Sequence, residues 1–188
     1  MSALGDAVAA IARVLDARGL GWYVFGAQAV AVRGAPRATQ DIDITVAVSN
    51  DALPGLVDEL SAAGLALRYP DQFDELLAAG AVVPLSHTSG MEVDMVVAGS
   101  GLEQLALSRA ERVMIEGTSV PVAHATDLVV MKVLAGRGKD LEDVRALLAS
   151  GDVDVDEARN LLGQLEEALG QSDLVPALEL AVRDCESA

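Results

Sequence analysis

An α+β fold is predicted: a core of strands and helices over residues 1–123, with a helical region over residues 124–188 packed on it. Three observations carry this. Segments with period-two and period-3.6 apolar spacing alternate up to about residue 123. From Thr126 onward only helical spacing recurs. Hydrophobic residues make up 52% of the 188, enough for a sizeable core.

Leu4, Val8, Ile11 and Leu15 mark a helix over residues 3–18. Gly19 and Gly21 end it. Trp22 to Phe25 reads as a short strand. Gly26 breaks it and starts a small, tightly packed helix through Arg33, which a turn at Gly34-Ala-Pro36 closes. Arg37 to Val48 reads as extended, with Ile42, Ile44, Val46 and Val48 on one face. Arg37, Thr39, Asp41, Asp43 and Thr45 fall on the other. A helix over residues 52–63, capped by Ser49 or Asn50, precedes a strand over 65–69 and one or two helical turns over 72–79. Hairpins are predicted around Ser89-Gly90 and Gly117-Thr118, with a helix over 102–107 between them. Thereafter Thr126 is expected to cap a helix to Ala135. Gly136-Arg-Gly138 separates it from a helix over 139–148. Further helices follow over 156–169 and beyond Ser172, the last with Pro176 in its first turn.

Composition narrows the function. No stretch approaches 18 uninterrupted apolar residues, so a membrane span is not expected. The first residues carry no secretory pattern. A lone Cys185 points to a reducing, cytoplasmic setting. The net charge of −16 argues against a sequence-indifferent nucleic-acid binder and suits a cationic substrate or a basic partner, besides solubility. His87 and His124 have no cysteine beside them, so zinc is not expected. Neither a Rossmann glycine fingerprint nor a phosphate-binding P-loop is present.

Asp41 and Asp43 are the sharpest feature. Two like charges beside a core strand are costly without a counter-charge. Side chains two residues apart on a strand, about 6.5–7 Å between Cα atoms, can converge on a pair of divalent ions. A third carboxylate is expected from Met91-Glu-Val-Asp94-Met-Val-Val. Asp94 is preferred because it sits deeper in the apolar run than Glu92.

The order Gly26-Ala27, then Arg37-x-Thr39-x-Asp41-x-Asp43, then a strand bearing Asp94, resembles the DNA polymerase β-like nucleotidyltransferase superfamily. The nearest resemblance within it is to minimal nucleotidyltransferases of the AbiEii/AbiGii abortive-infection toxin type. It extends to DLVVMKVLAGRGKDLEDVRALL and so covers roughly residues 20–148. Aminoglycoside nucleotidyltransferases are similar around the first motif. The resemblance implies a mixed sheet flanked by helices. It implies that backbone N–H groups at Gly26 and Ala27 hold nucleotide phosphates. It implies two Mg²⁺ ions, with Mn²⁺ as a substitute, on Asp41, Asp43 and Asp94. Asp94 would also help to deprotonate the acceptor. The reaction would move a nucleoside monophosphate from an NTP to a hydroxyl. One departure stands out: Ala27 replaces the usual Gly or Ser. It loses any hydroxyl contact and resists positive φ.

Arg37 and Thr39 share the face of the aspartates; either is placed to touch a triphosphate, and Arg37 alternatively offsets the carboxylates. Lys132 sits in a helix that is apolar nearly all round. It is expected to reach a phosphate, or to pair with Asp140 or a metal carboxylate. Lys139 is as well explained by a surface pair with Asp143. The leading expectation is a Mg²⁺-dependent nucleotidyltransferase, the toxin half of a toxin–antitoxin or phage-defence pair, with a tRNA end or a protein as acceptor and a cognate antitoxin as partner. Two alternatives are transfer to an aminoglycoside-like small molecule and a non-catalytic nucleotide-binding or interaction module of the same fold.

Overall fold

The computed structural model describes residues 2–34, 39, 41–80 and 82–187. Arg37, expected on the polar strand face, lies outside them. The chain divides into two compact units. The first is Met1–Gln28 with Ala38–Ala123, the second Ala29–Arg37 with His124–Ala188.

In the first unit, the described residues form one mixed sheet. Its strands are β1 (Trp22–Phe25), β2 (Asp41–Val46), β3 (Leu65–Leu67), β4 (Val83–His87), β5 (Glu92–Val97), β6 (Glu111–Ile115) and β7 (Thr118–Val122). Their order across the sheet is β3-β4-β5-β2-β1-β7-β6. β2 runs parallel to β5 and β1 parallel to β7; the other neighbours are antiparallel. Helices α1 (Ala3–Ala17), α3 (Leu53–Ala62), α4 (Phe73–Ala78) and α5 (Gly101–Arg109) belong to the same unit, and α2 (Gly26–Val32) begins in it. The α+β class and the mixed sheet flanked by helices are as expected from the sequence.

Alternation places the site. Ile42, Ile44, Val46, Val93 and Met95 are fully buried, and together they fix which face of β2 and β5 turns inward. Asp41, Asp43 and Asp94 are left on the opposite face, half-buried. α1 packs on β7 and α3 through Val8, Ile11 and Leu15, all buried. Its end is tied to β1 by Trp22 Nε1, which donates to Asp16 Oδ1 at 2.9 Å. Burial raises the Asp16 carboxyl, but hydrogen bonds from Arg112 and Trp22 outweigh it and hold the group below its ordinary value.

The second unit is helical: α6 (Ala125–Ala135), α7 (Gly138–Ser150), α8 (Val155–Leu169) and α9 (Leu174–Glu186), with most of α2. α6 packs on α7, α8 and α9, which explains a helix apolar nearly all round: Leu128, Val129, Val130 and Val133 are all buried. Gly136, Gly151 and Gly170 close α6, α7 and α8 in the left-handed conformation.

Several local expectations are corrected. Thr45 keeps the side of Asp41 and Asp43 but is covered there, 2% exposed between its ladder neighbours Tyr23 and Val96. α3 is preceded by Ala52 with no side-chain cap. Ser49 contributes its carbonyl oxygen, which accepts from the Ala52 and Leu53 N–H groups at 3.0 Å. α6 is capped by His124, whose ring accepts from the Thr126 N–H. Thr126 is instead buried, and its hydroxyl accepts from the Asp154 N–H at 3.0 Å. Asp173 rather than Ser172 precedes α9. The second hairpin turns one residue earlier than expected. Glu116 (φ 49°) and Gly117 (φ 85°) occupy it, both left-handed as a two-residue hairpin turn requires.

Candidate active site

Asp43 and Asp94 face each other across the parallel ladder between β2 and β5. Registered neighbours on adjacent strands project to the same side of the sheet, with Cα atoms about 4.8 Å apart. Asp41 lies two residues along β2 and is registered with Glu92. Four carboxylates thus occupy two adjoining rungs of one face. Glu92 is exposed and Asp94 half-buried, so Asp94 is the deeper of the two on β5. The Thr39 hydroxyl donates to Asp41 Oδ1, so it is engaged with the carboxylate.

Gly26 closes the site from β1. It follows Phe25, which is registered with Asp43. Its φ of +65° is left-handed, and a Cβ built on it would lie 1.8 Å from Asp43 Oδ2 and 2.6 Å from Cγ. No side chain can occupy that space, so the backbone approaches the carboxylate as closely as a glycine allows. Ala27 is buried and, unlike Gly26, does not have a positive φ. The left-handed residue at this turn is Gly26, and Ala27 therefore imposes no backbone strain.

Arg68 is the residue the sequence did not disclose. It follows β3, and its guanidinium donates to Asp94 Oδ1 through Nη2 and to Glu92 Oε2 through Nη1, the latter at 2.7 Å. The contact depends on β3, β4 and β5 lying side by side, which local spacing does not reveal. The alternation Leu65, Leu67 inward and Ala66, Arg68 outward is the one signal that could have raised it.

Lys132 lies in the second unit. It is 6% exposed, and its ammonium pairs with Asp143 at 2.8 Å and Asp140 at 3.2 Å, both on α7. Arg137 Nη2 adds a hydrogen bond to Asp140 Oδ1 at 3.1 Å. Burial would raise the Asp140 carboxyl; the hydrogen bonds from Arg137 and Lys132 together hold it below its ordinary value. Asp140 and Asp143 are among the few buried charged residues, and these pairs are what makes their burial tolerable.

The donors on the open face are carboxylate oxygens, hard ligands that suit Mg²⁺ or Mn²⁺ and not the sulfur- and imidazole-loving metals. Among the described residues no three or more His, Cys, Asp or Glu side chains are gathered into a ready-made cage. Mg²⁺ usually takes one or two protein carboxylates and completes its shell with water and substrate phosphate.

A sequence profile for nucleotidyltransferases of unknown function (DUF6036) matches residues 4–174. The chain belongs to that family. It is a nucleotidyltransferase, of the superfamily that its aspartate and glycine motifs resemble. No protein of curated function matches it in sequence. Solved structures share the nucleotidyltransferase fold at low identity. The antibiotic-resistance factor ANT(2'')-Ia superposes with a TM-score of 0.62 at 13% identity, over 88% of this chain and 92% of that one. An antigenic nucleotidyltransferase-like protein from Paracoccidioides brasiliensis gives 0.54 at 18%, over 93% and 92%. The lincosamide antibiotic adenylyltransferase LnuA, bound to lincomycin, gives 0.50 at 12%, over 75% and 94%.

Proposed function

We propose that this nucleotidyltransferase moves a nucleoside monophosphate from an NTP to an acceptor hydroxyl at the face built by Asp41, Asp43, Asp94 and Gly26. The observation that carries this is the rung formed by Asp43 and Asp94 with Gly26 closed against it. Two divalent cations, Mg²⁺ or in its place Mn²⁺, would be held by Asp41, Asp43 and Asp94. Bound there, they would draw charge from the α-phosphate oxygens and ease ionisation of the acceptor.

The chain's own residues supply the rest. Fully buried Ile42, Ile44, Val93 and Met95 fix the strands from beneath, so the carboxylates are positioned before substrate arrives. Asp94, the deeper carboxylate of β5, accepts the proton of the attacking hydroxyl. Backbone N–H groups at Gly26 and Ala27 contact the polyphosphate. Thr39 orients Asp41 through its hydroxyl. Attack in line on the α-phosphate forms the new ester bond to the acceptor oxygen, breaks the α–β bridge and releases pyrophosphate.

For the acceptor we propose a hydroxyl at a tRNA end or on a protein, the chain acting as the toxin of a cytoplasmic toxin–antitoxin or phage-defence pair. The resemblance of residues 20–148 to abortive-infection nucleotidyltransferases supports this. Transfer to an aminoglycoside-like small molecule is the second reading. Two of the solved structures of this fold are an antibiotic-resistance factor and an antibiotic adenylyltransferase, and a net charge of −16 suits a cationic acceptor. Incubation with Mg²⁺ and each α-labelled NTP, with total tRNA, with cell protein or with a drug panel, separates the two. Label in RNA or protein supports the first, label on a drug alone the second. No transfer with retained nucleotide binding would leave a non-catalytic module.

A further inference from the structure

Arg68 has no part in the transfer scheme above, yet it is paired with the carboxylate assigned to the acceptor's proton. Its N–H donates to Pro84 O at 2.9 Å. Leu67 is registered with Leu85, Pro84 with Asp94, and Asp94 with Asp43. Arg68, Pro84, Asp94 and Asp43 therefore fall in one row across four strands. Two inter-strand spacings put Arg68 about 10 Å from Asp94 between Cα atoms. Only a long side chain spans that, and the compact ring of Pro84 offers no polar group to intercept it. The guanidinium forks at the far side, to Asp94 and to Glu92.

The fork is not a fully satisfied structural pair. Arg68 Nε is buried with no hydrogen-bond partner among the described residues. A donor desolvated without return costs free energy and offsets part of what the two ion pairs contribute. The side chain of Glu92 is 55% exposed, so that arm is screened by water. What remains is a cation at Asp94 whose pairing returns less than a fully satisfied fork would.

We propose that Arg68 is a positioning residue that stands in for the divalent cation at Asp94, pairing with the carboxylate while no metal is bound and yielding it when metal binds. The inference rests on the metal reading of Asp41, Asp43 and Asp94. Four carboxylates on two rungs repel one another, and Arg68 offsets this while the cations are absent. Once divalent ions occupy the face, a guanidinium beside them is repelled and the pair breaks. Competition of this kind lowers metal affinity by the strength of the pair, and the coupling is reciprocal.

The test is binding of Mn²⁺ alone, without nucleotide, followed by the electron paramagnetic resonance signal of the free ion. Wild type is compared with Arg68→Gln, Arg68→Lys and Asp43→Asn, each checked by circular dichroism. Arg68→Gln is expected to bind Mn²⁺ about tenfold more tightly than wild type, the size of one partly exposed charge-assisted pair. Arg68→Lys keeps the charge but loses the fork, and about threefold tightening is expected. If Arg68→Gln does not fold, Arg68→Lys decides alone. Mn²⁺ bound no more tightly by the folded Arg68 variants, or by none of the proteins, overturns the inference. The metal reading is judged separately: it stands if Asp43→Asn weakens binding and falls if Asp43→Asn binds as wild type does.

Discussion

Replacing Gly26 by alanine tests whether the β1–α2 turn and Asp43 are one construction. Two costs add. At φ +65° an alanine Cβ crowds its own backbone, which costs about 1–2 kcal/mol. The new Cβ would also lie 1.8 Å from Asp43 Oδ2, where ordinary contact begins near 3.4 Å, so one of the two must move by about 1.6 Å, the difference. Ile44 and Ile42 lock β2 from below, which leaves the Asp43 side chain to swing away. We expect a loss of stability of about 2–3 kcal/mol, read as a fall in melting temperature of roughly 5–10 °C for a chain of this length. A catalytic group displaced by more than 1 Å costs on the order of a hundredfold in rate, so transfer of α-labelled nucleotide should drop by at least that much. Ala27→Gly, at a position without positive φ, should leave the rate within a few-fold. A Gly26→Ala protein with wild-type melting temperature and wild-type transfer would refute the reasoning, because the carboxylate would not be where the glycine makes room for it.

Three further outcomes are expected. Asp43→Asn and Asp41→Asn should lose transfer by a thousandfold or about that, while circular dichroism stays native, since each removes one of several mutually repelling charges. Lys132→Met should destabilise the second unit by about 3–5 kcal/mol in urea unfolding, because Asp140 and Asp143 keep their burial and lose the ammonium; a loss under 1 kcal/mol would mean the pairs are not formed in solution. Asp140 has its carboxyl held below the ordinary value, so its charged form stabilises the native state above that value. The advantage of wild type over Asp140→Asn should therefore be full at neutral pH. It should shrink as acid takes the pH below the ordinary carboxylate range and through the lowered native value, and a gap that grows there would reverse the assigned sign.

What could be read from the chain was what depends on neighbours in sequence. Alternation of Ile42, Ile44 and Val46 with Asp41 and Asp43 set the strand and its faces, and the run around Asp94 did the same for β5. Gly26 declared a break because it ends the apolar run from Trp22 to Phe25. The helix caps were less legible. Ser49, Thr126 and Ser172 are good capping residues by type, yet Ala52, His124 and Asp173 precede the helices. Thr126 was drawn instead to the Asp154 N–H, 28 residues away. Arg68 was missed for a stronger form of the same reason. Its partners are 24 and 26 residues distant and meet it only because the sheet orders β3, β4 and β5 together. Lys132 drew attention as a charge in an apolar helix, and Asp140 was among the partners expected for it; Asp143 was not, since it is reached only when α7 folds back on α6 across the glycine break.

The central claim is that the rung of Asp43 and Asp94, closed by Gly26, carries nucleotidyl transfer. It is tested most directly by following label and pyrophosphate together, with Mg²⁺, each α-labelled NTP, total tRNA, cell protein and a drug panel. Wild-type protein should place label on one acceptor and release pyrophosphate in equal amount, and Asp43→Asn should do neither while remaining folded. Equal transfer by wild type and Asp43→Asn would contradict the account.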